Sequence, residues 1–183
     1  MRLQLVFLVL GLASSACGSS ADKGRNGGGG EGNEPSGSSL GTCGLRSEVS
    51  GGATIHFTGQ NDVSCTTLHS SSTGLDAIFS GLNAKGSLEL IVDDVTEGQT
   101  GSDFPTRIVV TDTARANWQG SDCLTSISEH HLLSTEASAI GQLRHYQVTG
   151  VGTCNTDLDS LPAGDTAATV GPLAFRAEFT WRD

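Results

Sequence analysis

Near the C-terminus of the chain, apolar side chains fall at every second position. Leu173, Phe175, Ala177, Phe179 and Trp181 alternate with Ala174, Arg176, Glu178, Thr180 and Arg182. A period of two is the mark of a strand with one face on a core and the other toward water. Tyr146, Val148, Gly150, Gly152 and Cys154 alternate in the same way with His145, Gln147, Thr149 and Val151. Shorter runs of this kind cover residues 53–58, 64–69, 76–80, 87–94, 107–111 and 115–119, and a weaker one covers 124–131. Turn-forming residues separate them at 59–62, 83–86, 97–103 and 120–122. Short strands at such spacing predict an all-β domain, a single small β-sandwich or partly open barrel of about 7–9 mostly antiparallel strands. The one helical signal, residues 134–141, predicts a turn or two of helix ended by Gly141.

The N-terminus follows a different pattern. Arg2 precedes an apolar run from Leu3 to Leu12, broken only by Gln4 and Gly11. A membrane span needs about 20 apolar residues, so this run reads as an export signal. Small residues Ala13, Ser14, Ser15 and Ala16 then lead into Cys17. This junction resembles the lipobox of bacterial lipoproteins. Ser15 and Ala16 suit the two positions before the cysteine, and Ser14 stands where Leu is usual. The resemblance implies removal of residues 1–16, lipidation of Cys17 with diacylglycerol and an N-acyl chain, and a membrane as partner. In a Gram-negative cell, Gly18 rather than Asp after that cysteine implies the outer membrane. Ser14-Ser15-Ala16 also satisfies the small-x-small site of ordinary signal peptidase, which would release a soluble exported protein.

Five cysteines are present: Cys17, Cys43, Cys65, Cys123 and Cys154. Lipidation of Cys17 leaves an even four in an oxidising compartment, the pattern of two disulfides. Four cysteines admit three pairings; joining sequence neighbours, Cys43 with Cys65 and Cys123 with Cys154, is the expectation. Structural zinc favours close cysteine pairs such as Cys-x2-Cys, and the nearest two here are Cys43 and Cys65.

From Gly18 to Ser39 the sole apolar residue is Ala21. Such a stretch cannot bury enough surface to offset its ordering entropy. The expected organisation is therefore a signal peptide over 1–16, lipidated Cys17 and a Gly/Ser-rich tether over 17–42, and an all-β domain over 43–183. The tether would have a root-mean-square span of roughly 25–30 Å. Gly37-Ser38-Ser39-Leu40-Gly41 matches the Gly-x-Ser-x-Gly nucleophile pattern, but that motif needs a strand-to-helix turn and no apolar helix follows.

Twenty acidic residues face ten basic ones, a formal charge of −10, or −11 once Arg2 is lost with the signal. Such a surface repels nucleic acid, which is not expected as a partner. Asn155, Asp157 and Asp159 occupy the first three ligand positions of an EF-hand-like ladder, but Ser160 stands at the turn glycine and Thr166 at the bidentate glutamate. Asp157 and Asp159 are thus weak calcium candidates, with Asp93, Asp94, Glu97 and Asp103 as a second acidic stretch. No metal or other cofactor is expected. His56, His69, His130, His131 and His145 fall in no metal-binding motif; His130 and His131 would face opposite sides of a strand, and His56 and His145 would meet only if their strands were neighbours. Trp181 reads as core, and Trp118 as either core or a sugar-stacking platform.

No catalytic motif stands in its required context, so the chain reads as a non-enzymatic envelope lipoprotein whose β domain serves binding, adhesion or envelope structure, with a protein or glycan partner. Two alternatives remain: a carrier of a small apolar ligand, with a cavity lined by Phe175, Phe179 and Tyr146, and a hydrolase with an unrecognised site.

Overall fold

In a computed structural model the described residues are 40–59, 63–68, 73–81, 83–139, 141–161 and 165–182. They form eleven strands: β1 (Gly44–Gly51), β2 (Ile55–Thr58), β3 (Val63–Leu68), β4 (Gly74–Gly81), β5 (Gly86–Asp93), β6 (Gly101–Asp112), β7 (Asn117–Ser138), β8 (Gly141–Cys154), β9 (Asp159–Leu161), β10 (Ala168–Val170) and β11 (Leu173–Arg182). Described residues contain no α-helix. The expected helical turns at 134–141 are absent: β7 runs to Ser138 and β8 starts at Gly141. Thr135 and Ala137 instead enter the ladder opposite Arg144 and Gln142, showing how strand pairing overrides a weak local propensity. The expected turn at 120–122 likewise lies inside β7.

Nine strands follow one another in the order β10-β1-β11-β8-β7-β6-β5-β4-β3, every pair antiparallel, in a nearly closed, barrel-like sheet. β1 takes β2 on one edge. Its other edge is shared: Gly44 to Arg46 pair with β11, and Val49 to Gly51 with β10. Gly171 and Pro172 break what would otherwise be one strand, and the Gly171 amide donates to the Glu48 carbonyl at 2.8 Å. β1, β9 and β10 carry too little alternation to stand out in the sequence.

The cysteines pair as expected, Cys43 with Cys65 and Cys123 with Cys154. Cys43–Cys65 ties the approach to β1 onto β3, the last strand of the sheet order. Cys65 Sγ lies 3.9 Å from the Arg176 carbonyl of β11, so this disulfide sits at the seam where the sheet ends approach. Cys123 and Cys154 are direct partners in the β7–β8 ladder.

The inward face of β11 is the expected one: Leu173, Phe175, Ala177, Phe179 and Trp181 are all buried in one core with Phe79, Leu88, Leu90 and Ile108. Ala174, expected on the polar face, is buried as well. Trp118 is core, its Nε1 donating to the Thr166 carbonyl at 2.9 Å. Leu40 is also buried, and Gln147 Nε2 donates to the Thr42 carbonyl at 2.9 Å. The packed domain therefore begins before Cys43 and takes in the last residues assigned to the tether.

Candidate functional site

β7 and β8 form a hairpin longer than its neighbour. β6 pairs with β7 only as far as Ile127, whereas β8 stays paired to β7 up to Ser138 and to β11 up to Arg182. The three-stranded end of this sheet thus reaches past β6, and its inward face continues the core. Register places Arg144 opposite Trp181, Tyr146 opposite both Phe179 and Leu132, and His130 opposite Val148 on that face. Loop 94–100, between β5 and β6, folds onto it.

Val95, fully buried, anchors the loop. A tight turn follows, closed by the Gln99 amide donating to the Thr96 carbonyl at 3.1 Å. Gly98 holds the third turn position at φ 75°, a left-handed conformation that glycine adopts without steric cost. The Gln99 side chain accepts from the Thr96 amide and hydroxyl, each at 2.8 Å.

Glu97 at the tip is gripped from β8. Arg144 Nη2 donates to its Oε2 at 2.8 Å, Arg144 Nε donates to Oε1, and the Tyr146 hydroxyl donates to Oε1 at 2.8 Å. This is the two-point fork that a guanidinium makes with a carboxylate, with a phenol as third donor. Residues two apart on a strand share a face, which is why Arg144 and Tyr146 converge. Burial, then Glu97, raises the Tyr146 pKa above its ordinary value.

His130 fastens the same loop through both ring nitrogens. Nδ1 lies 2.9 Å from the Gln99 carbonyl, and the Gly98 amide donates to Nε2 at 3.3 Å. A carbonyl only accepts and an amide only donates, so this geometry requires the neutral Nδ1–H tautomer. Burial lowers the His130 pKa, while the Gln99 hydrogen bond and the Glu97 charge oppose that shift. The ring packs edge-on against Tyr146 at 4.9 Å and tilted against Trp181 at 4.8 Å; Tyr146 and Trp181 are 5.2 Å apart. Trp181 is only 4% exposed and its Nε1 is buried with no hydrogen-bond partner.

The remaining candidates are dispersed. His56, on β2, is exposed and 3.7 Å from Glu48 of β1. It does not meet His145, whose strand β8 lies between β7 and β11; His145 Nδ1 is 3.2 Å from Glu178. His131 is exposed opposite Gln147, facing away from His130 as a strand demands. His69 lies outside the described residues. Asp157 Oδ1 accepts from Thr169 at 2.6 Å, Asn155 Nδ2 donates to Asp122 at 3.1 Å, and Asp159 pairs with Gln119 through β9. These contacts serve local structure, and among the described residues no three His, Cys, Asp or Glu side chains are arranged to hold a metal ion. Gly37 to Ser39 of the nucleophile-like pattern, and Cys17, lie outside the described residues.

Phe175 and Phe179, suggested as cavity lining, are packed into the core. Clefts among the described residues include one of about 520 Å³ beside His56 and Pro172 and one of about 300 Å³ beside Cys43–Cys65, His145 and Glu178. By local pattern alone, Glu97 and His130 are polar surface residues. Their meeting depends on a 32-residue return of the chain from Gly98 to His130, which no local pattern announces. No protein-family model matches the chain, and neither the curated proteins nor the solved structures contain a significant match to it.

Proposed function

We propose that this protein is an exported lipoprotein whose disulfide-bonded β-barrel domain hangs from a bacterial membrane by Cys17 and binds a partner or ligand in the envelope. The observation that carries the reading is cysteine pairing. Cys43 joins Cys65 and Cys123 joins Cys154, which leaves Cys17, at the lipobox-like junction, as the fifth cysteine. Two disulfides fit an oxidising, extracytoplasmic compartment. Residues 1–16 serve as signal peptide and residues 18–39 as spacer. The acidic surface favours neutral or basic envelope partners, protein or glycan, over nucleic acid. No catalytic residue is assigned.

Mass spectrometry of the mature N-terminus tests the anchor. The native protein is expected to begin at Cys17 with diacylglyceryl and acyl mass added and to partition with membranes. Cys17→Ala is expected to lose that mass. A native chain that starts at an unmodified residue and stays soluble overturns the reading.

A second reading, carriage of a small ligand, is favoured by the Glu97 grip: a fork and a phenol aligned on a carboxylate beside three packed aromatic rings.

A further inference from the structure

The carboxylate of Glu97 occupies a receptor that β8 builds independently of loop 94–100. Arg144 and Tyr146 project from one face of a strand paired on both sides, to β7 and to β11, so the donors are fixed by the sheet. Their acceptor, by contrast, comes from a loop that β-ladder hydrogen bonds do not hold, with left-handed backbone at Asp94 (φ 62°) and Gly98 (φ 75°). We propose that Arg144 and Tyr146 form a binding site for an apolar carboxylate, and that Glu97 is its internal stand-in when the site has no ligand.

Beside the fork, the floor is aromatic: Tyr146, Trp181 and His130 contact one another in edge-on or tilted geometry. The buried Trp181 Nε1 is an unmatched donor in this cluster. Buried donors without acceptors are rare in native interiors, and one next to a carboxylate receptor points to an occupant that the closed loop does not supply. Such an occupant has a carboxylate for Arg144 and Tyr146, a flat or aliphatic body for the rings, and an acceptor within reach of an indole N–H. Binding displaces Glu97 by exchange of one carboxylate for another, so the charge on the guanidinium stays matched throughout. It also releases Gly98 and Gln99 from His130, which makes the loop tip, residues 96–100, a lid hinged on the buried Val95. The three aromatic residues and Arg144 belong to strands, so the site is preorganised and its cost of opening lies in the loop.

This inference deepens the carrier reading and does not depend on the lipid anchor. The probe is 2-naphthoate, with neutral 2-naphthalenemethanol as its uncharged counterpart, titrated into purified full-length protein. The chain has two tryptophans, so the Trp181 indole proton signal is identified by the spectrum of Trp118→Phe. In the wild type, naphthoate is expected to shift the Trp181 signal, and the alcohol is expected to do so far less. Glu97→Gln, which removes the competing carboxylate, is expected to tighten naphthoate binding by about tenfold or more. Arg144→Gln is expected to weaken it by at least about tenfold. Equal affinity in wild type and Glu97→Gln, or naphthoate binding that survives Arg144→Gln, overturns the proposal. If Glu97→Gln fails to fold, the wild-type titration decides, and a Trp181 signal that does not move at saturating naphthoate rules the site out. Naphthoate binding by a protein that proves unlipidated leaves the site standing and removes the anchor; a lipidated protein that ignores naphthoate does the reverse.

Discussion

The ring of Phe175 lies over Gly150. The two are register partners across β11 and β8, and a Cβ built on Gly150 would fall 2.7 Å from Phe175 Cε1 and 2.8 Å from the Ser126 carbonyl oxygen of β7. The missing side chain at 150 is thus the space that the Phe175 ring fills, an aromatic packed over a strand glycine.

Gly150→Ala is therefore expected to destabilise the domain by about 1–3 kcal/mol, because the new methyl meets backbone on one side and a fully buried ring on the other. Chemical denaturation measures it: the midpoint falls while the slope is unchanged. A midpoint equal to wild type would mean that Phe175 repacks freely.

Loop 94–100 is expected to loosen in mild acid. The folded His130 pKa is lowered by burial, below the ordinary 6.5 of an unfolded chain. Between those two values the unfolded chain binds more protons than the folded one, so stability rises with pH. The contribution of the neutral ring is complete above about pH 6.5 and is lost as pH falls through the folded value. Protonation at Nε2 also sets two N–H groups, its own and that of Gly98, against each other. The protection of the Gly98 amide, its exchange rate taken relative to the intrinsic rate at the same pH, should fall below pH 6.5 in the wild type, and His130→Gln should flatten that dependence. The Arg144 and Tyr146 contacts to Glu97 do not pass through His130 and still hold the loop tip, so the barrel strands should keep their protection. The idea fails if the Gly98 exchange profile matches that of an exposed amide at every pH.

The two disulfides are expected to fail differently. Each closes a loop, of 22 and 31 residues in sequence separation, worth roughly 3–4 kcal/mol by loop entropy. Cys123 and Cys154 are the end pair of the long β7–β8 ladder, which runs on from them to Ser138 and Gly141, so Cys123→Ala with Cys154→Ala should lower the melting temperature and leave β7–β8 pairing intact. Cys43–Cys65 bridges the approach to β1 and the end strand β3, where among the described residues no ladder joins the two sides. Cys43→Ala with Cys65→Ala should first expose the amides of β3, read by hydrogen exchange. Uniform loss of protection across all strands would show that the seam has no separate opening.

The all-β fold and the inward face of β11 were legible because each is a local signal. Leu173 through Trp181 alternate strictly, and a strand turns successive side chains to opposite faces whatever its neighbours do. Counting gave five cysteines and the lipobox-like junction singled out Cys17, but the count left three pairings of the other four open, and the structure selects the one that joins sequence neighbours. Residues 134–141 misled because their small polar residues suit several backbones, and only pairing with residues 141–145 of β8 selects the extended one.

Glu97 and His130 were invisible as a pair for a different reason. Each sits in a stretch that reads as polar surface, and what joins them is the length of the β7–β8 hairpin beyond β6, which carries His130 and Arg144 out to where loop 94–100 can fold over them. Composition and alternation determined that the chain carries a strand-built, cysteine-linked domain. Tertiary structure alone decided where a half-buried histidine, an arginine fork and an unmatched indole would meet, since contact between residues far apart in the chain follows from sheet register and strand length, and those are properties of the assembled barrel.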